Sequence, residues 1–529
     1  MTTGTAATPP AAPSDARGEL PSAAPMHGAV RLAATIALAT AAFMNMLDLT
    51  VTNVSVPAIA GSLGVSPNQG TWVITSYAVA EAIMLPLTGW LAGRFGQLRL
   101  FLTATSLFTL VSLLCALSPN FAALLAMRVI QGTVGAAMIP LAQALLLSLY
   151  PPQQRGLALG IFAMTIVAGP IAGPLAGGWI TDHLSWHWIF LINLPIGILC
   201  VTLVATLMAG RESPRIKTPI DAVGLALLIL GVGSLQILLD KGNELDWFGS
   251  TLVVALACVA VVALAAFVIW ELTAEHPVVN LRLFARRNFT VGVTCLALVS
   301  VAFFGANVVV PLWLQMHMGY TAEWAGRTMA FGGLLSLVAS PLVGANIHRI
   351  DARLVTTCGL VLFAVFAFLS STFPPDIDFW TLALTRLLMG LGMSCLFLPL
   401  LTIIFSGLGP DQVASASGIA NFFRSLGSSF GTSIMVSLWD NRTSQFHSQL
   451  VEHVGTHSPA STAYLTQLQQ LGLSTNAALN YVDQVVVSAQ ASLLATNSVL
   501  VTSGVLLLAL IPLIWLARGP FGAPPGAAH

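Results

Sequence analysis

Basic residues recur in every second gap between long apolar runs, and that alternation decides what this chain can fold into. Runs of about 20 apolar residues suffice to cross a hydrocarbon core of roughly 30 Å as helix, and Lys and Arg collect on the cytoplasmic side of such spans. Fourteen runs are predicted to span: 32–56, 70–91, 98–117, 121–148, 157–180, 188–209, 220–239, 250–271, 290–315, 323–347, 353–372, 379–406, 412–437 and 492–517. Arg17 and Arg31 precede the first, and Arg94 and Arg99 follow the second. Arg155 follows the fourth, and Arg211, Arg215 and Lys217 the sixth. Arg282, Arg286 and Arg287 follow the eighth, Arg349 and Arg353 the tenth, and Arg518 the last. The opposite gaps hold only Lys241 and Arg442. Both termini are therefore expected in the cytoplasm, which requires an even number of spans.

Composition agrees with a polytopic membrane protein. Only 8% of the 529 residues are charged and 56% are hydrophobic, against about 25% charged in a soluble domain. The formal net charge is zero, which points to neither nucleic acid nor acidic partners. The six Cys lie in apolar runs with no close pair and read as small core residues. Residues 1–30, rich in Ala, Pro, Thr and Ser, read as a disordered cytoplasmic tail, and 519–529 as a second one.

An internal repeat divides the chain. RVIQG at Arg128–Gly132 is echoed by RLLMG at Arg386–Gly390, 258 residues on. The pair Pro152 and Gly160 returns as Pro410 and Gly418 at the same interval, and Gly89 and Arg94 are echoed more weakly by Gly344 and Arg349. Two copies in one membrane orientation imply parallel repeats about an axis along the membrane normal. The expected plan is all-α: a six-helix bundle at 31–210, two inserted helices with flanking cytoplasmic loops at 211–289, and a second six-helix bundle at 290–518. The latter includes a polar outer loop at 439–491, where apolar residues such as Phe446 and Leu450 hint at short amphipathic helices.

A charge at the bilayer centre costs about 2.5–3.5 kcal/mol on insertion scales, so the few that occur are candidates for function. They are Asp48, Glu81, Arg128, Arg327, Arg386 and Arg424, with Arg327 near enough to a helix end to snorkel. Asp48, in NMLDLTVTNVSVP, is suited to bind and release a proton as a cavity opens to either side; its plain alternative is a permanently paired acid that locks two helices. Glu81, in SYAVAEAIMLP, is read as a proton site, a cation-attracting group or a buried hydrogen-bonding acid. Arg128 can pair with a carboxylate and is expected to tune Asp48, and Arg386 is its repeat copy.

In the fifth run, VAGPIAGPLAGG places Gly169, Gly173 and Gly177 on one face for close helix approach, while Pro170 and Pro174 bend the helix and remove donors. A moving seam between the two halves is expected there. The loop GWLAGRFGQLRL, with Gly89, Arg94, Gly96 and Arg99, permits a tight cytoplasmic turn and brings arginines to helix carbonyl ends. Asp182, His183 and His187 fall near one another, but their WHW segment reads as membrane interface, and no metal or cofactor is expected. No phosphate-binding GxxxxGK[ST] pattern occurs.

These segments together resemble the major facilitator superfamily, and most closely its fourteen-helix drug:proton antiporters of the EmrB/QacA type, from about Leu32 to Arg518. LDLTVTNVSVP is similar to the first-helix motif and places its membrane acid at Asp48; GWLAGRFGQLRL resembles the loop motif, RVIQG the fourth-helix motif and AGPIAGPLAGG the antiporter motif. Gly93 stands where that loop usually has Asp, and Gln97-Leu98 replace basic residues, so the cytoplasmic charge network is expected to be weaker or differently built. The resemblance implies the major facilitator fold and proton-driven export of hydrophobic or amphipathic compounds across a bacterial inner membrane. For the EmrB branch it also implies a periplasmic adaptor and an outer-membrane channel. The rival readings are an exporter of one metabolite, such as a siderophore or self-made antibiotic, and a non-transporting membrane receptor or scaffold. A membrane-embedded enzyme would want clustered nucleophile, base or metal ligands, and the sequence offers none.

Overall fold

Helices can satisfy every backbone polar group internally, as a segment in lipid must. A computed structural model describes residues 26–521 apart from 66, 216–218, 220, 243–244, 276, 348, 376 and 454–458. Most of both tails and Lys217 lie outside the described residues, as do the side chains of Pro170, Pro174 and Asp182. Every regular element among the described residues is helical. In chain order these are α1 (Gly28–Leu63), α2 (Trp72–Met84 and Thr88–Phe95, bent by 62°), α3 (Gln97–Ala116), α4 (Phe121–Leu149), α5 (Arg155–His183), α6 (Trp188–Leu207) and α7 (Ala222–Lys241). There follow α8 (Thr251–Thr273), α9 (Arg287–His317), α10 (Ala322–Asn346), α11 (Ala352–Ser370), α12 (Phe379–Ile404), α13 (Pro410–His453) and α14 (Thr475–Ile514). Eleven are apolar and long enough to cross a membrane alone, and the bent α2 makes a twelfth. With α5 and α13, of 29 and 44 residues, the set is consistent with fourteen spans.

The repeat extends to the helix caps. Asn120 accepts from the Ala123 N–H at 2.9 Å to start α4, and Asp378, 258 residues on, accepts from Thr381 at 3.1 Å to start α12. Such caps satisfy donors that the first turn leaves open. Within the first half α1 packs on α4, α5 and α6; within the second, α9 packs on α12, α13 and α14.

The halves meet through α5 on α10 and α13 on α2 and α4, and the close contacts fall at the ends next to the basic loops. A methyl at Gly344 would lie 2.5 Å from the Gly156 carbonyl oxygen, and one at Gly160 2.7 Å from that of Ser340. One at Gly89 would lie 2.6 Å from Ser415 Cα, and one at Gly418 2.6 Å from the Leu85 oxygen. Ser417 donates to Gln143 across the same seam. This conformer is therefore closed at the end that carries the basic loops.

The inserted α7 bridges the halves towards the opposite end. Lys241 donates to Thr71 at 2.6 Å and lies over the Trp72 ring, and Thr75 donates to Asp240. On its other side Gln236 donates to Ser429 at 2.7 Å, Ser433 donates to the Leu239 carbonyl, and Trp247 donates to Ser437 at 3.1 Å. Lys241, one of the two basic residues of the opposite gaps, is itself buried in this contact, while the Trp72 ring beside it stays exposed. The outermost helix is α8, packed chiefly on α7, with Val261 and Val262 each 69% exposed towards the lipid.

The polar stretch 439–491 is largely helical: α13 runs unbroken to His453, a short helix follows at Pro459–Gln470, and α14 begins at Thr475. Its apolar residues form a small core of their own around Leu465, Leu468, Ala478 and Val482, so the stretch forms a helical arm. Cys258 and Cys358 are exposed on lipid-facing surface rather than buried. Arg327 leaves the set of mid-membrane charges, because it pairs with Glu323 at 2.6 Å on exposed surface.

Candidate functional site

Asp48 lies midway along α1 with its side chain fully buried, and Arg128 of α4 donates to its Oδ2 at 2.6 Å. Its Oδ1 accepts from Gln131 Nε2 at 3.1 Å and from Asn193 Nδ2 of α6 at 2.8 Å. Both amides also donate to Ser112 Oγ of α3, at 2.8 and 3.0 Å. Arg128 further donates from Nε to the Val73 carbonyl of α2 at 3.0 Å, and its guanidinium lies 4.4 Å from the centre of the Tyr77 ring. One carboxylate thus ties together the first half, with Arg128 its charged partner and the amides its neutral ones. Arg128 and Gln131 share a face of α4 because they are three residues apart.

Glu81 shares no hydrogen bond with this knot among the described residues, although Arg128 and Asp48 lie within electrostatic reach of it. It sits on α2 one turn before Leu85, on the face that meets Gly418, and it interacts electrostatically with Arg424 of α13. Arg424 donates to Asn421 at 3.3 Å. The two acids are therefore arranged differently: Asp48 is enclosed within one half, whereas Glu81 lies within electrostatic reach of a cation from each half, Arg128 and Arg424.

The glycine face of the fifth helix lies elsewhere than expected. A methyl at Gly169 would meet Met46 Cβ at 2.5 Å, one at Gly173 would run into Thr50, and one at Gly177 would lie 2.9 Å from the Val51 carbonyl oxygen. All three partners belong to α1, in the same half. The seam between halves is made on α5 by Gly156 and Gly160, nearer its start. Small residues at four-residue spacing reveal close approach but not which neighbour approaches. Thr50 Oγ1 donates to the Gly169 carbonyl at 3.1 Å, so α1 and α5 are also hydrogen-bonded.

The loop between α2 and α3 obtains its acid from a distance. Glu212, after α6, accepts from the Leu98 and Arg99 N–H groups at 3.1 and 3.0 Å and lies 3.6 Å from the Arg99 guanidine. A carboxylate there meets open donors and the positive end of the α3 dipole. Gly93, where the motif resemblance leads us to expect an Asp, has open space around it. Gly96 has φ +92°, and any Cβ on it would collide with Glu212. Gly96→Ala is expected to destabilise the fold by about 1–3 kcal/mol, from backbone strain and loss of this cap. A lowered thermal midpoint in detergent, with Gly93→Ala as an unaffected control, would verify it.

Gln131, Ser112, Asn193 and Glu212 are functional neighbours that the sequence reading does not single out. The first three are legible only as polar residues inside apolar runs. Glu212 becomes visible only when the chain brings two loops together.

Residues 38–432 match the Major Facilitator Superfamily. This chain belongs to that superfamily. Among its relatives, the multidrug export protein EmrB of Haemophilus influenzae is 46% identical over 499 residues, 94% of this chain and 98% of that protein. EmrB of Escherichia coli is 45% identical over 503 residues, 95% and 98% of the two chains. The fatty acid resistance protein FarB of Neisseria gonorrhoeae is 39% identical over 502 residues, 95% and 99%. The crystal structure of the human organic anion transporter TETRAN has a TM-score of 0.58 at 14% identity, covering 92% of this chain and 99% of that one, and shares the fold. As a superfamily member the chain is a multi-pass membrane transporter, and the knot around Asp48 sits in its first six-helix half.

Proposed function

We propose that this chain is a proton-coupled antiporter. It exports hydrophobic or amphipathic compounds across the bacterial inner membrane by alternating access, with both termini in the cytoplasm. The names of its relatives, multidrug export and fatty acid resistance, support that substrate class. The observation that carries the reading is the Asp48–Arg128 pair, wholly enclosed at 2.6 Å. A buried ion pair adds little stability over well-packed apolar residues, so its place in a membrane helix is better explained by function.

The contacts supply a route from proton to gate. Protonation of Asp48 removes the charge opposite Arg128 and weakens the acceptor shared by Gln131 and Asn193, so α1 loosens from α4 and α6. Since α1 is packed and hydrogen-bonded to α5 at Gly169 and Thr50, that shift reaches the Gly156, Gly160 and Gly344 contact which closes the cytoplasmic end. Glu81, on the seam opposite Arg424, would bind a cationic substrate or a second proton. The partner reading extends to a periplasmic adaptor and an outer-membrane channel. In support, the outer helical arm exposes Tyr464, Leu471 and Val485 beyond its own small core.

The test uses the purified full chain in liposomes under an imposed pH gradient. Drug flux should follow the direction of the gradient and be matched by opposite proton movement; flux indifferent to the gradient would refute the coupling. In the same assay Glu81→Gln is expected to lower transport of cationic dyes about tenfold, the effect of losing one charge-assisted contact of about 1.5 kcal/mol, and to spare neutral ones. Unchanged transport of the cationic dyes would remove Glu81 from the site.

A further inference from the structure

The second half repeats the knot around Asp48 with its carboxylate missing. Arg386 follows Arg128 by 258 residues, and Ser370 follows Ser112 and Phe366 follows Phe108 at the same interval. Each falls on the matching helix, α12 for α4 and α11 for α3. The acid and its amide partner have no such copies. Met389 stands at the interval from Gln131, and the side chain that meets the guanidinium from α9, the counterpart of α1, is Asn307. Arg386 Nη1 donates to Asn307 Oδ1 at 3.3 Å and approaches Met389 Sδ at 3.8 Å.

Both partners are neutral, and among the described residues no carboxylate lies within ion-pair distance of Arg386. The residue is only 2% exposed, and its Nε–H has no hydrogen-bond partner. Ser370, 4% exposed, has an equally unpartnered hydroxyl. Both line a cavity of about 10 Å³ between α9, α11, α12 and α14, together with Trp313, Thr496 and Asn497. That is room for one particle of about water size.

A guanidinium carries five donors and keeps its charge. Enclosed in the membrane region with only neutral partners, it is a charge without compensation. In the first half the chain supplies the compensating carboxylate, and in the second it leaves a space beside two free donors. We propose that the second half binds one small monovalent anion, of chloride size, between the Arg386 guanidinium and the Ser370 hydroxyl, where it does for Arg386 what Asp48 does for Arg128.

The experiment needs no transport and so stands apart from the export reading. The full chain in detergent is moved from sodium gluconate into sodium chloride at constant ionic strength, with radioactive chloride binding and the thermal midpoint as readouts. Saturable binding of about one chloride per chain is expected, with a rise of about 2 °C or more in the midpoint at saturation. In Arg386→Gln both effects should vanish, and the midpoint in gluconate should be no lower than that of the parent, since an uncompensated charge has been removed. In Ser370→Ala, which keeps the charge and tests the site even if Arg386→Gln fails to fold, affinity should fall about tenfold, the equivalent of one charge-assisted hydrogen bond. Chloride binding that is absent, or that is unchanged in Ser370→Ala, would overturn the proposal and leave the cavity to water.

Discussion

Asp48→Asn should abolish uphill, proton-driven export while leaving drug-for-drug exchange across the membrane measurable. Asn is nearly isosteric and can still accept from Gln131 or Asn193, but it cannot be protonated and cannot balance Arg128. Removing one member of a buried pair costs about 3–5 kcal/mol, because the other charge is left enclosed without a partner. A lower thermal midpoint is therefore expected as well. The double variant Asp48→Asn/Arg128→Gln removes both charges and should recover much of that midpoint without recovering export. These outcomes separate the two readings of Asp48. If it serves only to hold α1 against α4 and α6, the double variant should regain export along with stability. If Asp48→Asn drives drugs uphill at the parent rate, the acid has no part in coupling.

Gly344→Val should leave the chain folded but unable to close the end that carries its basic loops. The obstacles to a side chain there are backbone atoms, the Gly156 carbonyl oxygen at 2.5 Å and Gly160 Cα at 3.0 Å, which no rotamer change can move aside. Overpacking of this kind costs about 1–3 kcal/mol. Here the cost falls only on the conformer in which α5 and α10 touch, so the population of that conformer should drop about tenfold or more. Export falls with it, because the cycle must pass through the closed state. Gln143, buried beneath Ser417 in this conformer, provides the readout. In a background without the native cysteines, Gln143→Cys should resist a membrane-permeant thiol reagent and become reactive when Gly344→Val is added. Equal reactivity in both would mean that the glycine contact does not govern closure.

Both predictions place the working parts on the contact path from α1 through α5 to α10. From its glycine and proline pattern, the track on α5 is expected at the boundary between halves. In this chain the track at Gly169, Gly173 and Gly177 joins α5 to α1, and the boundary proper belongs to Gly156, Gly160 and Gly344. A signal arising at Asp48 can then reach the gate within two helix contacts.

What the sequence determined by itself was everything that depends on solvent or on position along the chain. Apolar length set the helices, because the bilayer leaves backbone groups no other partner, and alternating basic gaps marked which helix ends share a side. The 258-residue echo announced two like halves down to the caps at Asn120 and Asp378, and the rarity of charge inside spans isolated Asp48, Glu81, Arg128, Arg386 and Arg424. The sequence proposed Arg128 as the residue that tunes Asp48, but only the tertiary structure decided the full set of contacts. Asp48 found Arg128 from 80 positions away, Glu212 reached the start of α3 across more than a hundred, and the glycines of α5 turned to α1 instead of α10. Periodicity records which face of a helix is special, but the neighbour on that face is set by how whole helices pack, and that packing depends on shape summed over every residue of both partners.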